Sequence, residues 1–226
     1  MSIQAEPSGI KLTRVSTVDA LVAALRESIL SGSQAAGTAL READLARSFG
    51  VSRHSLRTAL QELIHDGLVV HEVNRGVFVK SVTRASVRDI YQLRELLEVE
   101  AASELSRRPD RLAVVRATLD ALEALPSTAP WGEARDADLA FHRALVDALG
   151  RPRTSQTFAS LAGELRLAFL QIKTELEDRA DVARQHREIF DAIAAGKRGE
   201  AMRLVRAHLR AAQIDICTAL EAGGAD

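Results

Sequence analysis

The sequence predicts a mainly α protein: an N-terminal winged helix-turn-helix of three helices and a β-hairpin wing, joined to an all-α antiparallel bundle of about six helices. Three observations carry this expectation. Apolar residues recur at the helical period through most of the chain. One short stretch, residues 68–80, abandons that period for two Val- and Phe-rich runs around the turn Asn74-Arg75-Gly76. Aromatic residues make up only 4 % of the chain against 46 % hydrophobic, so the cores are built from Leu, Ala, Val and Ile, which suits helix-on-helix packing. A length of 226 residues fits one or two domains.

Residues 1–15 are polar and mixed, and read as a loose arm. The first helix runs from Val18 to Ser31, with Val18, Leu21, Val22, Leu25 and Ile29 on one face. Ser16 or Thr17 caps its start and Gly32 ends it. A second short helix spans Glu42 to Ser48, with Leu45 facing inward, and "FGV" makes a tight turn into a third, Arg53 to Asp66. Ser52 is its N-cap and Gly67 stands where a C′ glycine belongs. Strands follow at Leu68–Glu72 and Gly76–Lys80. Beyond Ser81 the texture is helical only, with helices near 86–107, 110–125, 132–149, 153–178, 181–195 and 199–221. Pro109, Pro126, Pro130 and Pro152 fall between segments. The boundary lies around Lys80–Arg84, dividing a domain of residues 1–80 from one of residues 81–226.

Composition narrows the function. A formal net charge of −1 argues against a globally basic nucleic-acid binder but leaves room for a local basic face. Cys217 is the single cysteine, so neither an internal disulfide nor a cysteine zinc site is available, which fits a reducing cytoplasm. The N-terminus lacks a signal pattern, and no apolar run approaches the ~20 residues that cross a bilayer. A cytoplasmic protein without a membrane partner is expected.

The third helix is built to enter a groove. Leu56, Ala59, Leu60 and Leu63 form its packing side, while His54, Arg57, Thr58 and Gln61 form another, with Arg53 beside them. Arg53 and Arg57 are four apart in the first two turns, hence neighbours on the surface. A helix whose N-terminal end points into the DNA major groove presents such residues to base edges. Arginine donates two hydrogen bonds to guanine, each pair discriminating by roughly 1–3 kcal/mol. Arg75 at the hairpin tip is placed to reach the adjacent backbone or minor groove, and Gly76 permits close approach. Residues 1–80 carry 9 basic and 8 acidic residues, so placement rather than excess charge supports this reading.

The run from "LRESIL" through "LREADLARSFGVSRHSLRTAL" to "GVFV" resembles the DNA-binding domain of the GntR family of bacterial transcription regulators, over roughly residues 17–80. The resemblance implies base or phosphate contacts for Arg53 and Arg57, a phosphate contact for Arg41, and Gly76 as the wing glycine. His54-Ser55 and Thr58 depart from the family's common residues and bear on which operator is read.

The all-helical part contains three histidines. Asp138 and His142 in "DADLAFHRAL" are four apart, His186 lies in "RQHREIFDAI" and His208 in "RLVRAHLRAA", each on an apolar face. A buried imidazole without partners is costly. Three of them with a carboxylate satisfy one another around a divalent ion, zinc foremost, with nickel or manganese as alternatives. A hydrogen-bonded core histidine is the bland alternative for each alone.

These motifs are similar to the effector domain of the FadR-type branch of GntR regulators, the FCD domain. That resemblance implies a metal on Asp138, His142, His186 and His208 at the floor of a ligand pocket. "YQLRELLEVEAA" is similar to the family's early helix, which makes Arg94 a partner for a ligand carboxylate. Its alternative is a surface ion pair with Glu95 or Glu98. The expected function is a homodimeric DNA-binding transcription regulator, a repressor, on a palindromic double-stranded operator, controlled by a small organic acid at the metal site. A metal-dependent enzyme and a metal sensor are the alternatives. His-Glu-x-x-His is absent, and an enzyme leaves the winged helix unexplained.

Overall fold

The computed structural model describes residues 16–172 and 179–222. The expected arm over residues 1–15 lies outside the described residues, as does 173–178; the helix expected over 153–178 already ends at Gln171, where Ile172 turns extended.

Helix α1 (Thr17–Leu30) opens on a capping box: Ser16 Oγ accepts from the Asp19 amide, and the Asp19 carboxylate accepts from the Ser16 amide. It buries Leu21, Val22, Leu25 and Ile29 against α3 (Arg53–His65), which buries Leu56, Ala59, Leu60 and Leu63 in return. Ser52 caps α3 by accepting from the Ser55 amide. Between them α2 (Glu42–Phe49) ends at Gly50, whose φ of 64° reverses the chain. Leu45 faces inward as expected, half-buried and packed against the core, and Ala46 beside it is the buried residue of α2.

Strands β1 (Val69–Glu72) and β2 (Gly76–Val79) pair antiparallel, with Val69 opposite Val79 and Glu72 opposite Gly76. The sequence reading misses a second partner for β2. The segment before α2 lies along it, with a bridge between Ala39 and Phe78 and the Leu40 amide donating to the Val77 carbonyl at 2.8 Å.

Six α-helices follow among the described residues: α4 (Arg84–Leu105), α5 (Ala113–Glu123), α6 (Trp131–Asp147), α7 (Pro152–Gln171), α8 (Arg179–Ala194) and α9 (Arg198–Ala222). A 3-10 turn, Pro109–Arg111, precedes α5, which therefore starts later than expected. The longest pairing is α4 on α9. Arg84 meets Glu221, Arg88 meets Gln213, Glu95 meets Arg206 and Ser103 meets Arg198, so one chain rises as the other falls. Helix α4 also packs on α6, α7 and α8, which makes it the axis of the bundle.

The winged part rests on α7. A Cβ on Gly163 would lie 2.1 Å from the Asp66 carbonyl oxygen, and one on Gly67 would lie 2.8 Å from the Ser160 carbonyl oxygen. Two glycines thus let the turn after α3 touch the helix backbone. Lys80 Nζ pairs with Glu164 at 2.7 Å beside this contact, and Gln171 Nε2 donates to the Val82 carbonyl at 3.3 Å. No helix is long and apolar enough to cross a membrane among the described residues.

Candidate metal centre and nucleic-acid interface

Helices α6, α8 and α9 bring the three imidazoles together. His142 Nε2 lies 3.1 Å from both His186 Nε2 and His208 Nε2, and His186 Nε2 lies 3.0 Å from Asp138 Oδ1. One ligand atom from each of the four residues falls within 4.8 Å of the others. All three histidines are buried. The spacing that makes this possible is local: Asp138 and His142 are one turn apart on α6, and Phe141 packs edge-on against His142 and His186.

The far nitrogen of each ring decides what the near one offers. His142 Nδ1 faces Glu98 Oε2 at 2.6 Å, His186 Nδ1 faces the Val182 carbonyl at 2.7 Å, and His208 Nδ1 faces Gln185 Oε1 at 2.8 Å. Gln185 donates its amide to Asp181, which orients its oxygen towards His208. Each partner is an acceptor, so each Nδ1 carries the proton and each Nε2 presents a bare lone pair. Three imidazole nitrogens and a carboxylate thus converge, a donor set suited to zinc and its divalent neighbours. The contacts between neighbouring donors are 3.0 and 3.1 Å, with 3.8 Å from His142 Nε2 to Asp138 Oδ1, a cluster in which all four could reach one divalent ion.

Electrostatics favour neutral rings at His142 and His208. Burial pushes His142 and His208 below the ordinary histidine range, and for His208 the two neighbouring imidazoles add to it. Burial alone would raise Asp138, but His186, whose Nε2 lies 3.0 Å from its Oδ1, and the other surrounding imidazoles hold it well below the usual carboxylate range. Glu98 is likewise raised by burial and brought below its ordinary value by Arg94 and His142.

Arg94 is not the surface residue of the bland reading: it is 1 % exposed, with Nε donating to Glu98 Oε1 at 2.7 Å. Its guanidinium lies over the Tyr91 and Phe158 rings. Nη2 is buried with no hydrogen-bond partner among the described residues. Arg94, Asp138 and His208 line one cavity of about 720 Å³, whose wall includes Trp131, Arg135 and Phe169. That volume suits a small molecule. Arg135 Nη1 donates to the Phe169 carbonyl at 2.9 Å and its guanidinium lies near both aromatic rings. Glu98 and Gln185 are the functional neighbours that the sequence reading misses. The signal for Glu98 is its place four residues after Arg94 on the buried stripe of α4, among Val87, Tyr91, Ala102 and Leu105.

At the other end, Arg53, His54 and Arg57 are exposed on α3, and Arg41 is exposed as the N-cap of α2. Arg57 Nη2 pairs with Glu42 at 2.9 Å, which raises its pKa above the ordinary arginine value. Ser55 and Thr58 are turned to local use: the Ser55 hydroxyl shares a hydrogen bond with Ser52, and Thr58 Oγ1 donates to the His54 carbonyl. Arg75 pairs with Glu72 and lies 5.2 Å over the Phe78 ring, folded back on the wing. Gly76 has a φ of 105°, a conformation that excludes most side chains at the tip.

A winged helix-turn-helix seated on a helical bundle defines a DNA-binding transcription regulator, and comparison with known proteins places it further. Residues 17–79 match the bacterial regulatory proteins of the gntR family, and residues 89–211 match the FCD domain. The chain belongs to the GntR family and carries an FCD effector domain. It is 35 % identical over 193 residues to an HTH-type transcriptional regulator in an unstable DNA locus of Streptomyces ambofaciens, covering 85 % of this chain and 81 % of the relative. It is 29 % identical to the HTH-type transcriptional regulator LutR of Bacillus subtilis, covering 73 % of this chain and 84 % of that one. A solved GntR transcriptional regulator from Rhodococcus sp. RHA1 superposes with a TM-score of 0.76 at 30 % identity, covering 89 % of this chain and 98 % of its own. E. coli McbR/YncC shares the fold, with a TM-score of 0.69 at 17 % identity over 89 % of this chain and 97 % of that one. The family, the Streptomyces and Bacillus relatives and the Rhodococcus protein are transcription regulators, not enzymes.

Proposed function

We propose that residues 1–80 are the DNA-binding domain of this regulator, and that residues 81–226 sense a small carboxylate metabolite and dimerise. Asp138, His142, His186 and His208 hold a divalent ion, zinc foremost. The effector's carboxylate takes an open position on it and pairs with Arg94. The observation that carries this is Arg94 Nη2, a buried cationic donor without a partner among the described residues, on the wall of the same cavity as the ligand set. Such a group is costly until an anion meets it. The ion supplies charge and fixed coordination positions; Arg94 supplies the direction from which a planar carboxylate enters.

Arg53, His54 and Arg57 face the major groove, Arg41 a phosphate, and the wing with Arg75 and Gly76 the flanking backbone. Ser55 and Thr58 shape the helix end between them. Two such heads on a palindromic operator provide affinity that one lacks. Helix α7 runs from the cavity wall at Phe169 to Gly163 and Glu164 under the winged domain, so an effector that prefers one seating of α7 shifts operator affinity. The protein acts as a cytoplasmic homodimeric repressor.

The test is an operator titration on the chain's own upstream DNA, with and without a panel of small carboxylic acids, before and after chelation. The expected result is salt-sensitive binding that one class of acid alters, an effect lost on chelation and restored by zinc. Binding that ignores every acid and every metal removes the effector reading. A site whose affinity tracks free metal alone makes the ion itself the signal.

A further inference from the structure

One carboxylate stands between the two halves of the candidate site. Glu98 is fully buried, and its two oxygens face different partners: Oε1 accepts from Arg94 Nε at 2.7 Å, and Oε2 accepts from His142 Nδ1 at 2.6 Å. His142 is in turn the hub of the imidazole set, 3.1 Å from each of the other two rings. We propose that Glu98 is the positioning residue that makes metal site and acid site one unit. Its oxygens fix the tautomer of His142 and the pose of Arg94 together. The proposal rests on the functional reading above and extends it to a residue outside the ligand set.

The argument is one of donors and acceptors. A carboxylate accepts at both oxygens, so His142 must carry its proton on Nδ1 and aim the Nε2 lone pair at the other ligands. The same carboxylate occupies Arg94 through Nε only. The fork is held against Tyr91 and Phe158, and Nη2 is left for a ligand. Glutamine has nearly the same shape but one acceptor and one donor. In Glu98→Gln, Arg94 takes the carbonyl oxygen, because a cationic donor binds it more strongly than a neutral ring does. The amide N–H₂ then faces His142 Nδ1, which becomes an acceptor, and the proton moves to Nε2, where a metal needs the lone pair. Removing the arginine as well lets the glutamine turn over and serve His142 as the carboxylate did.

Three measurements test this on the full chain. ¹⁵N-histidine spectra of the metal-free wild type at pH 8 are expected to show His142 protonated at Nδ1 and bare at Nε2; a ring protonated at Nε2 overturns the proposal. Zinc affinity, by competition with a chelating dye, is expected to fall about ten- to hundredfold in Glu98→Gln, the usual cost of losing such a supporting partner. In Arg94→Met/Glu98→Gln it is expected to recover most of that loss. A single variant that binds zinc like the wild type, or a double variant no better than the single, overturns the proposal, since a purely structural glutamate predicts no rescue. Circular dichroism accompanies each protein, and the wild-type spectrum decides the matter alone if a variant does not fold. Should the wild type bind no zinc, the functional reading fails, and the proton on His142 still decides for or against Glu98.

Discussion

At the scale of single residues, charge is arranged in opposite ways at the two ends of the molecule. Arg57 is exposed and pairs with Glu42. Arg57→Ala should cost about 1–3 kcal/mol of operator affinity per half-site, with the difference between operator and random DNA shrinking accordingly. Fluorescence anisotropy measures this, and an unchanged circular dichroism spectrum separates it from unfolding. His186→Ala should leave DNA binding in place while metal content after gel filtration falls; a variant that retains full zinc refutes the assigned ligands. Asp138 and the three histidines were legible in the sequence because imidazoles on apolar faces are conspicuous. Glu98 was not. Its segment, "RELLEVEAASEL", is crowded with glutamates, and only the depth of the α4 stripe tells the buried one from Glu95 and Glu100. The depth of Arg94 was hidden for the same reason: an arginine four residues from a glutamate reads equally well as a solvated pair.

Helices announced themselves at the scale of elements. The caps Ser16 and Ser52, the left-handed Gly50 and the prolines between segments put boundaries within a few residues of those observed. What escaped was short or shallow. The 37–40 segment joins β2 through backbone hydrogen bonds that leave no side-chain period to read. Helix α2 has too few turns for its pattern to show that Ala46, not Leu45, lies deepest. Helix α3 carries the winged core, and Leu60, 1 % exposed, sits at its middle. Leu60→Ala should cost about 2–5 kcal/mol. Denaturant unfolding should show the winged domain failing first, with zinc affinity unaltered.

For the molecule as a whole, the contact between its halves is the decisive feature. In an exposed helix, replacing glycine with alanine gains about 1 kcal/mol. At Gly163 the new methyl would meet the Asp66 carbonyl, so Gly163→Ala should instead destabilise by about 1–3 kcal/mol, the usual cost of overpacking. Small-angle scattering should show a larger radius of gyration, and operator affinity should lose its dependence on any effector. A variant as compact and as responsive as the wild type means that the halves communicate by another route. Nothing in the sequence pointed to this glycine, because a helix interior gives no sign of what its backbone must touch.

A joint this close has a mechanical corollary. Where the turn at Asp66 and Gly67 meets α7, backbone lies against backbone at Gly163, with the Leu68 and Glu164 side chains packed beside it. The half-buried ion pair of Lys80 with Glu164 ties the end of the hairpin to the same helix. Any shift of the winged domain against α7 must therefore part or slide this contact as one piece, because the facing backbone leaves no room at either glycine even for a methyl group.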